Sequence, residues 1–90
     1  MNLRLGQFDI PRSDILESPE LVMAITGRMI IYRAEMMFHK DTMEYIAISD
    51  LFEEIEQGQC PPEYVMVVEK TEDGTYVVSA ERKYRIMQFQ

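Results

Sequence analysis

The strongest structural signal in this chain is the stretch RMIIYRAEMMFH at residues 28–39. Apolar side chains recur there at every second position from Ile30 to Phe38, and the charged Arg33 and Glu35 fall between them. A period of two residues is typical of a strand with one buried and one exposed face. The stretch therefore predicts a half-buried β-strand.

A second strand is predicted directly after it, at residues 43–48, so that the two form a hairpin. The length of the loop sets the register, because a slip of one residue turns every side chain to the other face. An even loop places Tyr45 on the face of Met36, and an odd loop places Ile46 there. The sequence leaves both registers open, since the loop has no Asn-Gly or Asp-Gly pair.

The first part of the chain predicts a short strand, a turn and one helix. Residues 1–12 alternate weakly and predict an edge strand, which a turn over residues 11–14 follows. The pair Ser18-Pro19 is a typical helix start, with serine as N-cap and proline at the first helical position. We expect a helix over Pro19–Thr26 that ends at Gly27.

Residues 50–57 predict a second, amphipathic helix. At about 100° per residue, apolar side chains share one side and polar side chains share the other. The apolar side comprises Leu51, Phe52 and Ile55, and the polar side comprises Asp50, Glu53, Glu54 and Gln57. Gly58 is expected to end this helix.

A second hairpin is predicted nearer the C-terminus. Residues 64–70 and 75–81 are mostly apolar, and the Asp-Gly pair between them is a strong turn signal. Residues 65–68 are apolar on both faces, which favours a central strand covered from both sides.

Together these elements predict an α+β fold with a four-stranded antiparallel sheet, made from two β-hairpins joined by the short amphipathic helix, plus an N-terminal helix. We expect residues 1–90 to form a single compact domain, with residues 1–17 as an N-terminal arm and residues 82–90 as a basic C-terminal segment. That segment either extends the last strand or pairs with the N-terminus, and carries Arg82, Lys83 and Arg85. The mixed second face of the sheet favours a homodimer, and on the first strand it carries Met29, Ile31, Arg33 and Met37.

The charge of the chain is unevenly distributed. The net charge is −7, and between Lys40 and Lys70 there are eight acids and no base. A negative field attracts basic partners and repels polyphosphates, so direct nucleic-acid binding is not expected.

The lone Cys60 leaves no internal disulfide and favours a reducing, cytoplasmic location. No apolar run reaches the about 18 residues of a membrane span, and residues 1–10 lack a signal-peptide pattern.

Patterns for catalysis are weak. Cys60 has no neighbouring base that would favour a thiolate, and His39 is expected on the surface at a hairpin end. No glycine-rich loop opens a helix to cradle a phosphate. The sequence Pro-Pro-Glu-Tyr at residues 61–64 matches the ligand pattern of WW modules, but Tyr64 begins an apolar strand, so we interpret it as a structural turn. We therefore expect no enzyme, no metal and no cofactor.

The function expected from these features is a non-enzymatic protein–protein interaction or regulatory protein, of the small acidic type common among phage and prophage accessory proteins. We expect it to bind a partner with a basic surface through the acidic helix region, namely Asp50, Glu53, Glu54 and Glu56. One alternative is a nucleic-acid-mimicking inhibitor of a DNA- or RNA-binding protein, which uses the row Asp41, Glu44, Asp50, Glu53, Glu54 and Glu56. A second alternative is a small divalent-metal-assisted hydrolase that uses Asp50, Glu53 or Glu54.

Overall fold

The computed structural model describes residues 2–83 and shows an α+β protein, mostly strands with two short helices, so the predicted class is confirmed. The helices are α1 (Arg12–Glu17) and α2 (Pro19–Thr26). The strands are β1 (Asn2–Leu3), β2 (Leu5–Pro11), β3 (Ile30–Met37), β4 (Thr42–Ile48), β5 (Ile55–Glu56), β6 (Tyr64–Lys70) and β7 (Tyr76–Arg82). Neither of these two helices is long and apolar enough to cross a bilayer.

Three strands form the larger sheet, in the order β2-β4-β3, with both neighbouring pairs antiparallel. The β3–β4 hairpin matches the predicted strands closely, and its loop, residues 38–41, is even in length. Ala34 therefore lies opposite Tyr45, which places Tyr45 on the face of Met36. A bulge at Tyr32 interrupts this ladder.

The second hairpin forms its own two-stranded sheet, β6–β7, so the prediction of a single four-stranded sheet is wrong. Between the two hairpins lies β2, which meets β6 through one parallel bridge, where the Gln7 N–H donates to the Pro62 carbonyl at 2.9 Å. The weakly alternating N-terminal residues form β2, which pairs with the edge of β4 that does not contact β3. This position is favourable because Phe8 and Ile10 bury their side chains there.

The predicted helix over residues 50–57 is also wrong. The segment forms turns and then β5, which pairs with β1. Its backbone N–H groups find acceptors outside a helix: Leu51 donates to the Ser49 hydroxyl at 3.1 Å, and Glu53 donates to the Tyr64 hydroxyl at 2.9 Å. Side-chain acceptors of this kind compete with helical hydrogen bonds.

The core lies between the β2 half of the larger sheet, α2 and the β6–β7 hairpin. The buried apolar side chains of residues 2–83 are Phe8, Ile10, Ile25, Ala47, Phe52 and Tyr64.

The remaining predictions for individual segments have mixed outcomes. Helix α2 has the predicted bounds, but the expected turn at residues 11–14 is instead the end of β2 and the start of α1. The prediction that residues 65–68 are covered on both faces is wrong for Val65, which is exposed. Of the basic segment, residues 84–90 lie outside the described residues.

Candidate interaction surface

The acids singled out by the sequence lie on one loop. We call residues 50–56, which follow β4 and end in β5, the acidic loop; its acids are Asp50, Glu53, Glu54 and Glu56. The anchor of this loop is Phe52, whose side chain is 1 % exposed. The Phe52 ring stacks on Tyr64 at a centroid distance of 4.6 Å and lies 6.2 Å from the ring of Phe8.

A glycine in β2 makes room for this anchor. A Cβ atom on Gly6 would lie 2.7 Å from the Phe52 ring, which is closer than such atoms approach in proteins. The close approach of the ring to the β2 backbone therefore requires glycine at this position.

Hydrogen bonds from distant segments hold the backbone of the acidic loop. The Arg4 guanidinium donates to the Phe52 carbonyl at 2.8 Å, and the Glu53 N–H donates to the Tyr64 hydroxyl at 2.9 Å. Just before the loop, the Ser49 N–H donates to the Arg4 carbonyl at 3.0 Å. A backbone fixed in this way presents its side chains in a defined arrangement, which reduces the entropy lost on binding.

Three acids of the loop each contact an arginine from a different part of the chain. The pairs are Glu53–Arg82 at 3.0 Å, Asp50–Arg28 at 3.7 Å and Glu54–Arg4 at 3.9 Å. All these side chains are substantially exposed to solvent, so each pair contributes only about 0–1 kcal/mol. Glu56 forms no ion pair with a cation of residues 2–83.

The longer acidic row expected from the sequence is not continuous. Asp41 lies at the far end of β4 from the acidic loop, and its carboxylate accepts a hydrogen bond from Arg12 Nε at 2.7 Å. Glu44 lies opposite Asp9 on one side and opposite Glu35 on the other. Those three carboxylates form a separate row on the face of the larger sheet that carries Glu44, which we call the outer face.

The residues considered for catalysis are not brought together. Cys60 and His39 are both exposed, and in residues 2–83 no three His, Cys, Asp or Glu side chains are grouped so that they could hold a metal ion. The acids proposed for the hydrolase contact arginines instead. Tyr64 is buried, which agrees with the interpretation of residues 61–64 as a structural turn.

A groove with a volume of about 250 Å³ lies between β2 and β6, where the two strands diverge from their single bridge. Its charged lining is balanced, with two acids and two lysines: Asp9, Glu63, Lys40 and Lys83. Lys40 and Asp9 approach each other to 4.0 Å. The groove therefore does not select for a ligand of either sign of charge.

Two shifted pKa values lie outside the acidic loop. Burial raises the pKa of the Tyr45 hydroxyl above its ordinary value of 10.0. Hydrogen bonds from the Thr71 hydroxyl and the Thr75 N–H lower the pKa of Asp73, in the turn between β6 and β7.

The sequence indicated the four acids but not the residues that hold them. The Arg4 donor lies 48 positions from Phe52, and the Tyr64 acceptor lies 11 positions from Glu53. No local pattern connects such positions. The one available signal is Phe52 itself, a large apolar side chain among acids.

Comparisons with protein-family models, with curated proteins and with solved structures found no match.

Proposed function

We propose that this protein is a non-enzymatic interaction protein of regulatory type, which binds a basic protein surface through the acidic loop. The observation that carries this proposal is a set of exposed carboxylates on a backbone anchored in the core. Asp50 and Glu54 are 71 % and 56 % exposed, whereas Phe52 between them is buried. A preorganised group of like charges favours a partner of opposite charge and loses little entropy on binding.

The arginine contacts already made by the loop support a basic partner. Guanidinium groups from three separate parts of the chain contact Asp50, Glu53 and Glu54. Because exposed pairs of this kind are weak, an arginine on a partner replaces them at little cost. The net charge of −7 adds long-range attraction toward the same partners.

The proposal is tested by titration with an oligo-arginine peptide as the probe of a basic surface. We expect the largest changes in backbone amide NMR shifts at residues 50–56. We also expect affinity to fall as salt rises, because salt screens exposed charge pairs. Amide shifts spread evenly over the surface, with none concentrated in the loop, would contradict the proposal.

A matched pair of variants separates the loop from the net charge. The variant Glu53→Gln/Glu54→Gln/Glu56→Gln is expected to bind the peptide at least about tenfold more weakly, since three of the four carboxylates lose their charge. The control Glu69→Gln/Glu72→Gln/Glu81→Gln removes the same charge from the β6–β7 hairpin and is expected to bind within about threefold of wild type. Equal losses in both variants would show that only net charge matters, and the acidic loop would then have no special role.

A further inference from the structure

The second edge of β3 pairs with none of the strands in residues 2–83. The first six residues of β3 are all exposed, and Ile30 and Tyr32 are 67 % and 73 % exposed. The strand contains no proline and no lysine, the residues that commonly protect a sheet edge. An apolar edge of this kind can accept another strand.

The charge pattern of β3 points to the occupant. Arg33 and Glu35 lie on the outer face, and their side chains contact each other at 2.8 Å. When two copies of one strand pair about a twofold axis in a continuous sheet, opposing residues share a face. An axis at Arg33 sets arginine against arginine, and an axis at Glu35 sets glutamate against glutamate. An axis at Ala34 sets Arg33 of each copy against Glu35 of the other.

We propose that this protein forms a homodimer in which the β3 edges of two copies pair antiparallel about an axis at Ala34. The register is self-complementary, since it forms two identical Arg33–Glu35 contacts across the interface. This proposal goes beyond the proposed function, because it concerns a surface other than the acidic loop.

The acidic row on the outer face is compatible with this register. Glu35, Glu44 and Asp9 lie side by side across three strands, and like charges directly opposite each other are unfavourable. In the proposed register, Arg33 of the second copy lies next in this row, beside Glu35. Within one copy Glu35 already contacts Arg33 at 2.8 Å and Asp9 lies 4.0 Å from Lys40, so dimerisation gives Glu35 a second guanidinium neighbour.

This arrangement also brings the apolar side chains of the two β3 strands close to one another. This register brings Tyr32 of one copy, at the bulge, close to Met36 of the other. The antiparallel direction brings the Ile30 end of one strand to the hairpin tip of the other, where Phe38 is 86 % exposed. The bulge places Ile31 opposite Ala47, so the expectation that Ile31 shares a face with Arg33 is wrong.

The net charge of −7 on each copy does not prevent this pairing. At physiological salt the Debye length is about 8 Å, so charges far from the interface are screened, whereas opposed side chains in contact are screened much less. Contacts at the axis thus determine which register forms.

The experiment is sedimentation velocity in about 0.15 M salt. Wild type at about 100 µM is expected to sediment as a dimer, and either Arg33→Glu or Glu35→Arg is expected to weaken dimerisation at least about tenfold. An equimolar mixture of the two single variants is expected to form a heterodimer, because at both contacts an acid of one variant then faces a base of the other. The double variant Arg33→Glu/Glu35→Arg restores both contacts and is expected to dimerise like wild type.

Matched controls change the same amount of charge elsewhere. Lys70→Glu and Glu72→Arg, on the β6–β7 hairpin, are expected to leave the dimer intact, and circular dichroism checks that every variant is folded. A monomeric wild type, single reversals that dimerise like wild type, or a mixture that stays monomeric would each overturn the proposal. A β3 edge that binds a different protein without self-association would overturn it as well, and would leave the acidic loop untouched.

Discussion

The two outer strands of the larger sheet pair with the same central strand, yet their surroundings differ. Along β2, half-buried and buried residues alternate, whereas the first six residues of β3 are all exposed. The difference lies in what packs against the sheet: α2 and the β6–β7 hairpin contact the β2 side. The strand with the clearer alternation in sequence is thus the exposed one. Alternation indicates a strand, but the packing of other elements decides whether it is buried.

The largest difference between the β2 side and the β3 side of the sheet is expected in stability, when one phenylalanine is removed from each side. Phe52→Ala removes a fully buried ring and is expected to cost about 3–5 kcal/mol of unfolding free energy, because a cavity remains among Gly6, Phe8 and Tyr64. Urea unfolding followed by circular dichroism measures the change.

The matched control is Phe38→Ala, at the exposed hairpin tip. Its unfolding free energy is expected to stay within about 0.5 kcal/mol of wild type when measured at a concentration where the protein is monomeric. Similar losses in both variants would mean that the β3 half is packed as tightly as the β2 half, which would break the comparison.

An intermediate effect is expected for the hydroxyl groups of two tyrosines. Tyr64→Phe removes the acceptor for the Glu53 N–H and leaves a part-buried donor without that partner, so we expect a loss of about 1–2 kcal/mol. Tyr32→Phe changes the same group on a side chain that is 73 % exposed, and no measurable loss is expected. Thermal unfolding of both variants measures the change in stability. If Tyr64→Phe were as stable as wild type, the Tyr64 hydroxyl would not anchor the acidic loop.

The smallest effect concerns Asp73, in the turn of the hairpin that covers the β2 side. Hydrogen bonds hold the pKa of Asp73 below its ordinary value of 3.8, so the folded state favours the carboxylate. Its stabilising contribution is therefore present above pH 3.8 and is lost as the pH falls through the lowered pKa. The melting temperature of wild type is expected to exceed that of Asp73→Asn near neutral pH, with a difference that shrinks in acid. A difference that stays constant with pH would refute this assignment.

Elements with strong local signals were predictable from the sequence. Helix α2 has the predicted bounds, since Ser18-Pro19 and Gly27 are local start and stop signals. The strands β3, β4, β6 and β7 agree with the predicted segments to within about two residues, as hairpins are local structures too. The register of the first hairpin was not predictable, because it depends on whether the loop has an even or an odd number of residues. The structure shows that the number is even.

Features that depend on distant contacts were not predictable. The segment at residues 50–57 has the pattern of an amphipathic helix, but the Phe52 side chain enters the core beside Gly6, and the backbone bonds to Tyr64 and Ser49. The insertion of β2 between the hairpins likewise depends on partners far along the chain. For the candidate site, the sequence predicted the acids and the structure supplied their anchors.

The place of β2 also bears on how the chain folds during synthesis. The strand that lies between the two hairpins is made before either of them, so it leaves the ribosome without its neighbours. The β3–β4 hairpin closes over a short loop, whereas β2 must close a long one to reach β4, and contacts distant in sequence form slowly. We therefore expect the contacts of β2 with β4 to form later than the contacts within either hairpin.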